Sequence, residues 1–530
     1  MLNCSKNSVY PINALPACRL VREGIDTICH RTDVKKKAVL EYYSRVDADI
    51  LFCFSDIVIQ AEAMGAKIKF SPKALPAVEK PASGILLPRT KDVPRMQVNR
   101  DVIQTLAGTF PQKHVAAMVY GPFTVAGQVA GEQRIMKGLR NDPKQIRQLI
   151  GQCLDVALEY AAMQVDAGAN LVWVSDPFAS LLSPTDFEQF AQGFLEKIFS
   201  AFPELPTALH ICGETTPLVA SMIATGVNGI SFDQCMNLLT IEDQVPDHIQ
   251  IIGNADPVED IANATVEHID AICQDLACLM GVLPNFSLST GCALPITTPI
   301  ENVVRFIQSS KTSLANTQAH QQELRHLGNH VYSGDQAQTI ALTQTLVTKN
   351  IEPETIIHCA LMRAVRKASG LYESGRFYLP DLLLLTDAFY QGFAQVKKHL
   401  AENDSSPQIL LGVVEGDFHE IGKDIVKAML EANGFPVADL GTNVRAEDFV
   451  KTAKRLGIKI VGLSAFTTSS RNEIKKISIL MANDLPNKIE IIAGGAAVSA
   501  SQAKTLGADA YAKDAVGAVS LVRQILSERK

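Results

Sequence analysis

The stretch "PTALHICGE", Pro206–Glu214, sets a short apolar run directly before a His-x-Cys pair and a Gly-Glu turn. A helical pattern, "TTPLVASMIATG", follows it. The same device recurs on either side. Apolar runs ending in polar or Gly/Pro residues are "SVYPIN", "ADILFCFSD", "HVAAMVYGPFT", "NLVWVSDPFAS", "GISFDQ", "IQIIGNADP" and "NFSLSTGCALP". Strands alternating with helices predict a parallel α/β sheet. Eight such units over roughly 300 residues predict a (β/α)₈ barrel over residues 1–313.

Most of these runs end in residues with chemical capability: Asp56, Asp176, His210, Cys212, Asp233, Asn254 and Cys292. In a barrel that end is the active-site face. Wet loops explain the Asp and Asn residues well, and two Cys and a His poorly. His210, Cys212 and Cys292 make a three-ligand zinc set with an open fourth position, the pattern of catalytic rather than structural zinc. Spacing alone leaves three unrelated polar residues as the plainer reading. Asp233, at a neighbouring strand end, is a candidate catalytic residue. Cys273 and Cys278 fall in a helical pattern and read as core thiols.

Beyond the barrel the style changes. Residues 314–339 are polar and Gln-rich and read as a linker, and residues 340–402 read as helical with a break at "SGLYESGRFYLPD". The stretch "ENDSSPQ" reads as a second linker. Over 403–530 the runs "ILLGVV", "PVADLG", "IKIVGLSAF", "IEIIAGG" and "AYAKD" alternate with helical patterns. This predicts an open doubly wound domain that binds ligands beyond the carboxyl ends of its strands. His419, in "EGDFHEIGKDIV", follows the first of these strands, and Asp417 stands where a carboxylate can fix the imidazole tautomer. Neither a Walker-type loop nor G-x-G-x-x-G follows that strand, so a nucleotide phosphate cradle is not supported.

Bulk properties narrow the partners. Net charge is -7, with no Lys/Arg block, so nucleic acid is not an expected partner. No signal peptide and no apolar run long enough to span a bilayer is read, and the 11 scattered cysteines suggest reduced thiols in a cytoplasm.

The stretch "GDFHEIGKDIV", with "GLSAFTTSS" and a later "GG", resembles the cobalamin-binding domain of methionine synthase and corrinoid methyltransferases. The resemblance implies a bound corrinoid. His419 would coordinate cobalt from the lower face, in place of the cofactor's dimethylbenzimidazole, with Asp417 and Ser470 as the relay behind it. Gly422 would let the displaced nucleotide tail pass the helix start. Ser464 and Thr468 would line the tail pocket, and Gly494 and Gly495 would flank it. The family often has Ser-x-Leu where this chain has Ser464-Ala465-Phe466. Residues 350–389 resemble the four-helix cap over the corrinoid's upper face, with Phe377, Tyr378, Leu379 and Pro380 as its cluster.

In the barrel, "VYGPFTVAG", "SDPFASLLSPTDFEQFAQ", "LHICGETTPLVASMIATGVNGISFDQ", "IIGNADPVEDI" and "STGCALPITTPIENVVRFI" resemble the uroporphyrinogen decarboxylase superfamily, its methyltransferase branch above all. In that branch the His-x-Cys and the later Cys bind zinc, which implies zinc on His210, Cys212 and Cys292. The resemblance implies that the segment usual before the first strand of that family is largely missing. The domain order resembles chloromethane:corrinoid methyltransferase fusions. It implies methyl transfer between a small donor, such as a methyl halide or methylated thiol, and protein-bound cob(I)alamin. Transfer from methylcobalamin to a thiol such as coenzyme M, and a non-catalytic corrinoid carrier or sensor, are the alternatives. A methyl acceptor (a thiol, or tetrahydrofolate through a second methyltransferase) and a reductive activase are the expected partners. Cap and barrel cannot both cover one cobalt face, so the last domain is expected to swing, with 314–339 as hinge.

Overall fold

A computed structural model describes residues 8–12, 14–54, 56–87, 90–399, 406–432, 435–484, 488–513 and 515–528. They divide into two compact units, Met1–Tyr332 with His358–Pro380, and Ser333–Ile357 with Asp381–Lys530. No helix among the described residues is long and apolar enough to cross a membrane.

The first unit is built on eight parallel strands. They are β1 (Val9–Ile12) and β2 (Ile50–Phe52), then, after a hairpin of β3 (Lys67–Ser71) and β4 (Ala74–Lys80), β5 (His114–Tyr120), β6 (Leu171–Ser175), β7 (Thr207–Ile211), β8 (Gly229–Phe232), β9 (Gln250–Ala255) and β10 (Phe286–Ala293). The order β1-β10-β9-β8-β7-β6-β5-β2 follows the chain around a nearly closed barrel. Its two ends are joined where Asp49, just before β2, gives its N–H to Val9 O at 3.1 Å and takes the Val9 N–H on Oδ2 at 2.9 Å. Strands such as Leu171–Ser175 are buried at every position, as expected where helices cover the outside and side chains fill the inside. All eight apolar runs of the sequence are these strands. The β3–β4 hairpin is an antiparallel insertion between β2 and its long helix Pro94–Thr109, and Pro76 is accommodated because a two-stranded ribbon has edges.

The second unit carries a five-stranded parallel sheet: β11 (Ile409–Val413), β12 (Val437–Asp439), β13 (Ile460–Ser464), β14 (Glu490–Gly494) and β15 (Ala510–Tyr511). The order β12-β11-β13-β14-β15 reverses between β11 and β13. That reversal opens a crevice at the carboxyl ends of β11 and β13, where doubly wound sheets bind ligands.

Three expectations are corrected. The stretch read as a linker is largely helical, because Ile300–Gln318 and Gln321–Tyr332 are helices. Leu314 and Thr317, then Leu324, Leu327 and Val331, are buried at helical spacing beneath a Gln-rich exterior. The hinge expected at 314–339 therefore does not coincide with a free linker. The helical region also begins earlier than residue 340 and continues through Gln336–Thr348, Pro353–Ile356, Arg363–Glu373 and Leu379–Lys397. Finally, Cys278 is not a core thiol: it is joined to Cys359, 81 residues on, in a disulfide. Cys273 is a buried free thiol and takes the Ser310 hydroxyl at 3.2 Å.

The helix Arg363–Glu373 belongs to the first unit through a buried ion cluster. Arg363 and Lys367, one turn apart, both reach Glu242, and their side chains are 2%, 7% and 4% exposed in that order. Arg363 Nε also donates to Leu279 O at 2.6 Å. Of the aromatic pair at the sequence break, Phe377 packs against Tyr332 while Tyr378 is exposed.

Candidate functional site

Strand register builds the barrel site. Tyr120, Ser175, His210 and Ser231 pair in one row across β5, β6, β7 and β8. Residues opposite each other on neighbouring strands share a face, so these four side chains share the face of the His210 imidazole. His210 is buried, with Nδ1 3.1 Å from Ser231 Oγ and Nε2 3.2 Å from Cys212 Sγ. Cys212 Sγ lies 3.7 Å from Cys292 Sγ at the end of β10. One ligand atom each from His210, Cys212 and Cys292 falls within 4.8 Å of the others. One imidazole and two sulfurs converging at a strand-end face is a donor set that fits zinc. Ser231 engages the ring nitrogen opposite the cluster, as partners behind metal-binding histidines do. Hydrogen bonding between the sulfurs pushes Cys212 up and pulls Cys292 down, His210 adding to the second effect.

Asp233 is buried beside this cluster but is not a member of it. Its Oδ1 accepts the Cys235 N–H at 3.0 Å. Asn254, at the end of β9, holds the loop by donating to Asp233 O at 3.0 Å and Met236 O at 2.8 Å. A side chain at Gly291 would run into Gln234 N at 2.3 Å, so the residue before Cys292 must be glycine for this loop to lie where it does. Asp56 is neutralised by the buried Arg95. Asp176 is fully buried and pushed up to about 6 by that burial, although Thr124 donates to its Oδ1 from both N and Oγ1. Burial keeps the Tyr120 phenol protonated, and its neighbours Tyr160, Cys292 and Cys212 reinforce this.

In the second unit the loop after β11 presents His419. Asp417, fully buried, accepts His419 Nδ1 at 2.7 Å and the His419 N–H at 3.1 Å on Oδ1. On Oδ2 it accepts Ser470 Oγ at 2.9 Å, Phe466 N at 2.6 Å and Thr467 N at 3.1 Å. Burial pushes this carboxyl up, but the bonds from His419, Phe466 and Ser470 outweigh it and hold the group well below the usual carboxylate range. The imidazole is thus held on its Nδ1 side. Its Nε2 has no partner among the described residues. Beside it, Phe418 and Phe466 are 69% and 47% exposed and give this loop an apolar surface. Open space surrounds the Gly422 α-carbon. Gly495, at φ +103°, crosses so close to Ala465 that a side chain would meet Ala465 O at 2.3 Å, and one at Gly494 would meet Ala512 O at 3.1 Å. An uncommitted imidazole nitrogen, exposed aromatic rings and close-passing glycine backbone fit a large macrocyclic cofactor whose metal a histidine would ligate.

Of the residues named from the sequence, the structure gathers His210, Cys212 and Cys292 in one place and Asp417, His419 and Ser470 in another. Ser464 is half-buried at the end of β13, and Thr468 is exposed and outside the hydrogen-bond chain. Its neighbour Thr467 takes part instead, with Oγ1 2.7 Å from Ser470 Oγ. Asn443, in left-handed backbone at φ 52°, holds the same loop by accepting Gly416 N at 2.7 Å and donating its own N–H to Asp417 O at 2.9 Å. The run of hydroxyls after β13 signalled Thr467; nothing in the sequence signalled Asn443.

Comparison with known proteins gives a consistent division. A uroporphyrinogen decarboxylase (URO-D) family profile matches residues 11–313, and B12-binding-domain profiles match 323–397 and 407–520. A corrinoid protein of Desulfitobacterium hafniense is 33% identical over 39% of this chain and 98% of its own length. The dimethylamine corrinoid protein of Methanosarcina barkeri is 34% identical over 33% of this chain and 85% of its own. A solved methyltransferase structure from Methanosarcina mazei shares the fold, with TM-score 0.53 and 22% identity over 58% of this chain and 93% of that one. The first profile spans more than half of the chain, and the protein therefore belongs to the uroporphyrinogen decarboxylase (URO-D) family, its barrel fused to B12-binding domains.

Proposed function

We propose that this chain is a corrinoid-dependent methyltransferase that moves a methyl group between a small donor, such as a methyl halide or methylated thiol, and a corrinoid held by its second unit. The observation that carries this reading is a His-Cys-Cys donor cluster within 4.8 Å on the same chain as a buried carboxylate clamping one nitrogen of an exposed imidazole. When bound, the corrinoid supplies a cobalt that takes up and gives up methyl, and zinc supplies a Lewis acid for a thiolate or leaving group.

The protein's own residues divide the work. His210, Cys212 and Cys292 would hold zinc, with Ser231 fixing the His210 ring. Asp233 would act beside the cluster as a catalytic carboxylate, and Tyr120 and Ser175 would line the same row. In the second unit His419 would ligate cobalt through Nε2. A proton shared along Asp417, His419 and Ser470 would strengthen or weaken that ligation. Ser464, Thr468, Gly422, Gly494 and Gly495 would accommodate the cofactor's tail. An acceptor thiol or a second methyltransferase, and a reductive activase, complete the proposed cycle. The dimethylamine corrinoid relative supports a carrier role for the second unit, and the barrel's donor cluster supports chemistry on the same chain.

The test is spectral. Reduced, corrinoid-loaded protein is challenged with methyl halides, methyl thiols and methyl ethers while the corrinoid absorption is followed. At least one donor class is expected to change the spectrum, and the response is expected to vanish in His210→Ala protein depleted of zinc. No response to any donor, or an equal response without the metal, would overturn the reading.

A further inference from the structure

The ring of Phe466 lies on the imidazole of His419, with centroids 4.2 Å apart and planes 22° from parallel. This contact is built from two separate elements, the loop after β11 and the loop after β13. Phe466 is also tied to the same network through its main chain, because its N–H donates to Asp417 Oδ2 at 2.6 Å. One residue therefore braces both the imidazole and the carboxylate behind it. Neither His419 nor Phe466 is sunk in a core: the His419 side chain is 55% exposed and Phe466 is 47% exposed. Leaving a phenyl ring half in water has a solvation cost, so its placement against one face of an exposed imidazole calls for a reason. The hydrogen bond from Nδ1 to Asp417 fixes one point of the ring and leaves it free to pivot about that point. A stacked aromatic surface removes the pivot, since only one plane keeps both the bond and the stack.

We propose that Phe466 is a positioning residue that holds the His419 ring in the plane from which Nε2 reaches the metal of the bound corrinoid, and so raises the fraction of protein in which His419 is ligated. This rests on the reading of His419 as the lower ligand. It concerns the departure from Ser-x-Leu at this loop: a leucine would pack on the imidazole edge but could not present a parallel face.

The closing experiment uses the full-length, corrinoid-loaded protein in the cob(II) state at one fixed pH. Nitrogen splitting in the electron paramagnetic resonance spectrum, per bound cobalt, reports the ratio of ligated to unligated His419. Phe466→Ala is expected to lower that ratio about two- to tenfold, the range for loss of one aromatic pair, with Phe466→Leu between and Phe466→Tyr near wild type. The main-chain bond to Asp417 survives all three substitutions. In the apo protein the His419 ring protons are expected to lose their ring-current shift in Phe466→Ala and keep it in Phe466→Tyr. An unchanged or raised ratio in Phe466→Ala, with splitting abolished in His419→Gly, overturns the role of Phe466 and leaves the ligand assignment standing. Wild-type protein with no nitrogen splitting at all overturns the ligand assignment and the proposal together.

Discussion

Asp417 Oδ1 stands 2.7 Å from His419 Nδ1, and the carboxylate is fully buried while the imidazole is half exposed. The pair is therefore asymmetric. Asp417 is the anchor, satisfied by five donors from two loops, and His419 is the part that can act. Removing the anchor's charge leaves those donors facing a weaker and half-mismatched acceptor. Asp417→Asn is expected to lower the unfolding free energy by about 1–3 kcal/mol. His419→Gly is expected to leave folding largely intact but change the absorption of the bound corrinoid. Denaturant melts and absorption spectra check both; a His419→Gly spectrum identical to wild type would remove His419 from the metal.

The barrel cluster makes a separable prediction. Wild-type protein is expected to hold about one zinc per chain, and His210→Ala or Cys292→Ser to hold almost none. Ser231→Ala leaves all three donors in place but removes one of the two Ser231 oxygens facing Nδ1, Oγ at 3.1 Å, while the carbonyl O at 3.3 Å remains, and is expected to weaken zinc binding about 10-fold. Asp233→Asn is expected to keep full zinc content while slowing methyl transfer. Metal analysis with competition against a chelator separates these cases. Loss of zinc from Asp233→Asn would make Asp233 a ligand rather than a neighbour of the ligands.

Asp176 predicts a pH effect of definite sign. Burial raises its pKa to about 6 in the folded state, against about 3.9 in an unfolded chain. Between these values the folded protein binds more protons than the unfolded one. Its contribution is therefore fully present below about pH 4 and lost as pH rises through about 6. Asp176→Asn cannot ionise. Across that window wild type is expected to lose roughly 2–3 kcal/mol relative to the variant, and the difference is expected to stay flat above about pH 7. Paired melts from pH 4.5 to 8 check it, and a gap that widens in favour of wild type with rising pH contradicts it.

What could be read beforehand followed from period and position. The barrel strands are continuous apolar runs ending in capable residues, so their number and their active face were legible; that His210, Cys212 and Cys292 belong together came from the family resemblance, since spacing alone leaves them unrelated. His419 and Asp417 were legible because two residues of spacing after a strand suffice for their contact. The helical course over 314–332 was not, because its buried positions, Leu314, Thr317, Leu324, Leu327 and Val331 among them, are dispersed among Gln, Asn and Thr, and composition masks the stripe. The Cys278–Cys359 bond and the Phe466 stack join residues far apart in sequence, and no local period records such pairings. Asn443 is a short polar residue in a loop until its left-handed backbone is seen.

The buried ion cluster at Glu242 was equally hidden, and it makes the last prediction. Arg363 and Lys367 both depend on this one carboxylate inside the protein, while Asp243, the second partner of Lys367, is 74% exposed. Glu242→Leu would leave the buried Arg363 without a carboxylate and Lys367 with only the exposed Asp243, and breaking a buried pair in this way costs about 3–5 kcal/mol. Replacing all three residues together, as Glu242→Leu with Arg363→Met and Lys367→Met, leaves no charge to strand. It is expected to recover most of that loss, because apolar side chains of similar volume can substitute for buried ion pairs. Denaturant unfolding of the single and triple variants, fitted to the transition of the first unit, decides between this account and a cluster that stabilises through attraction alone. In the second case the triple variant would be at least as unstable as the single one.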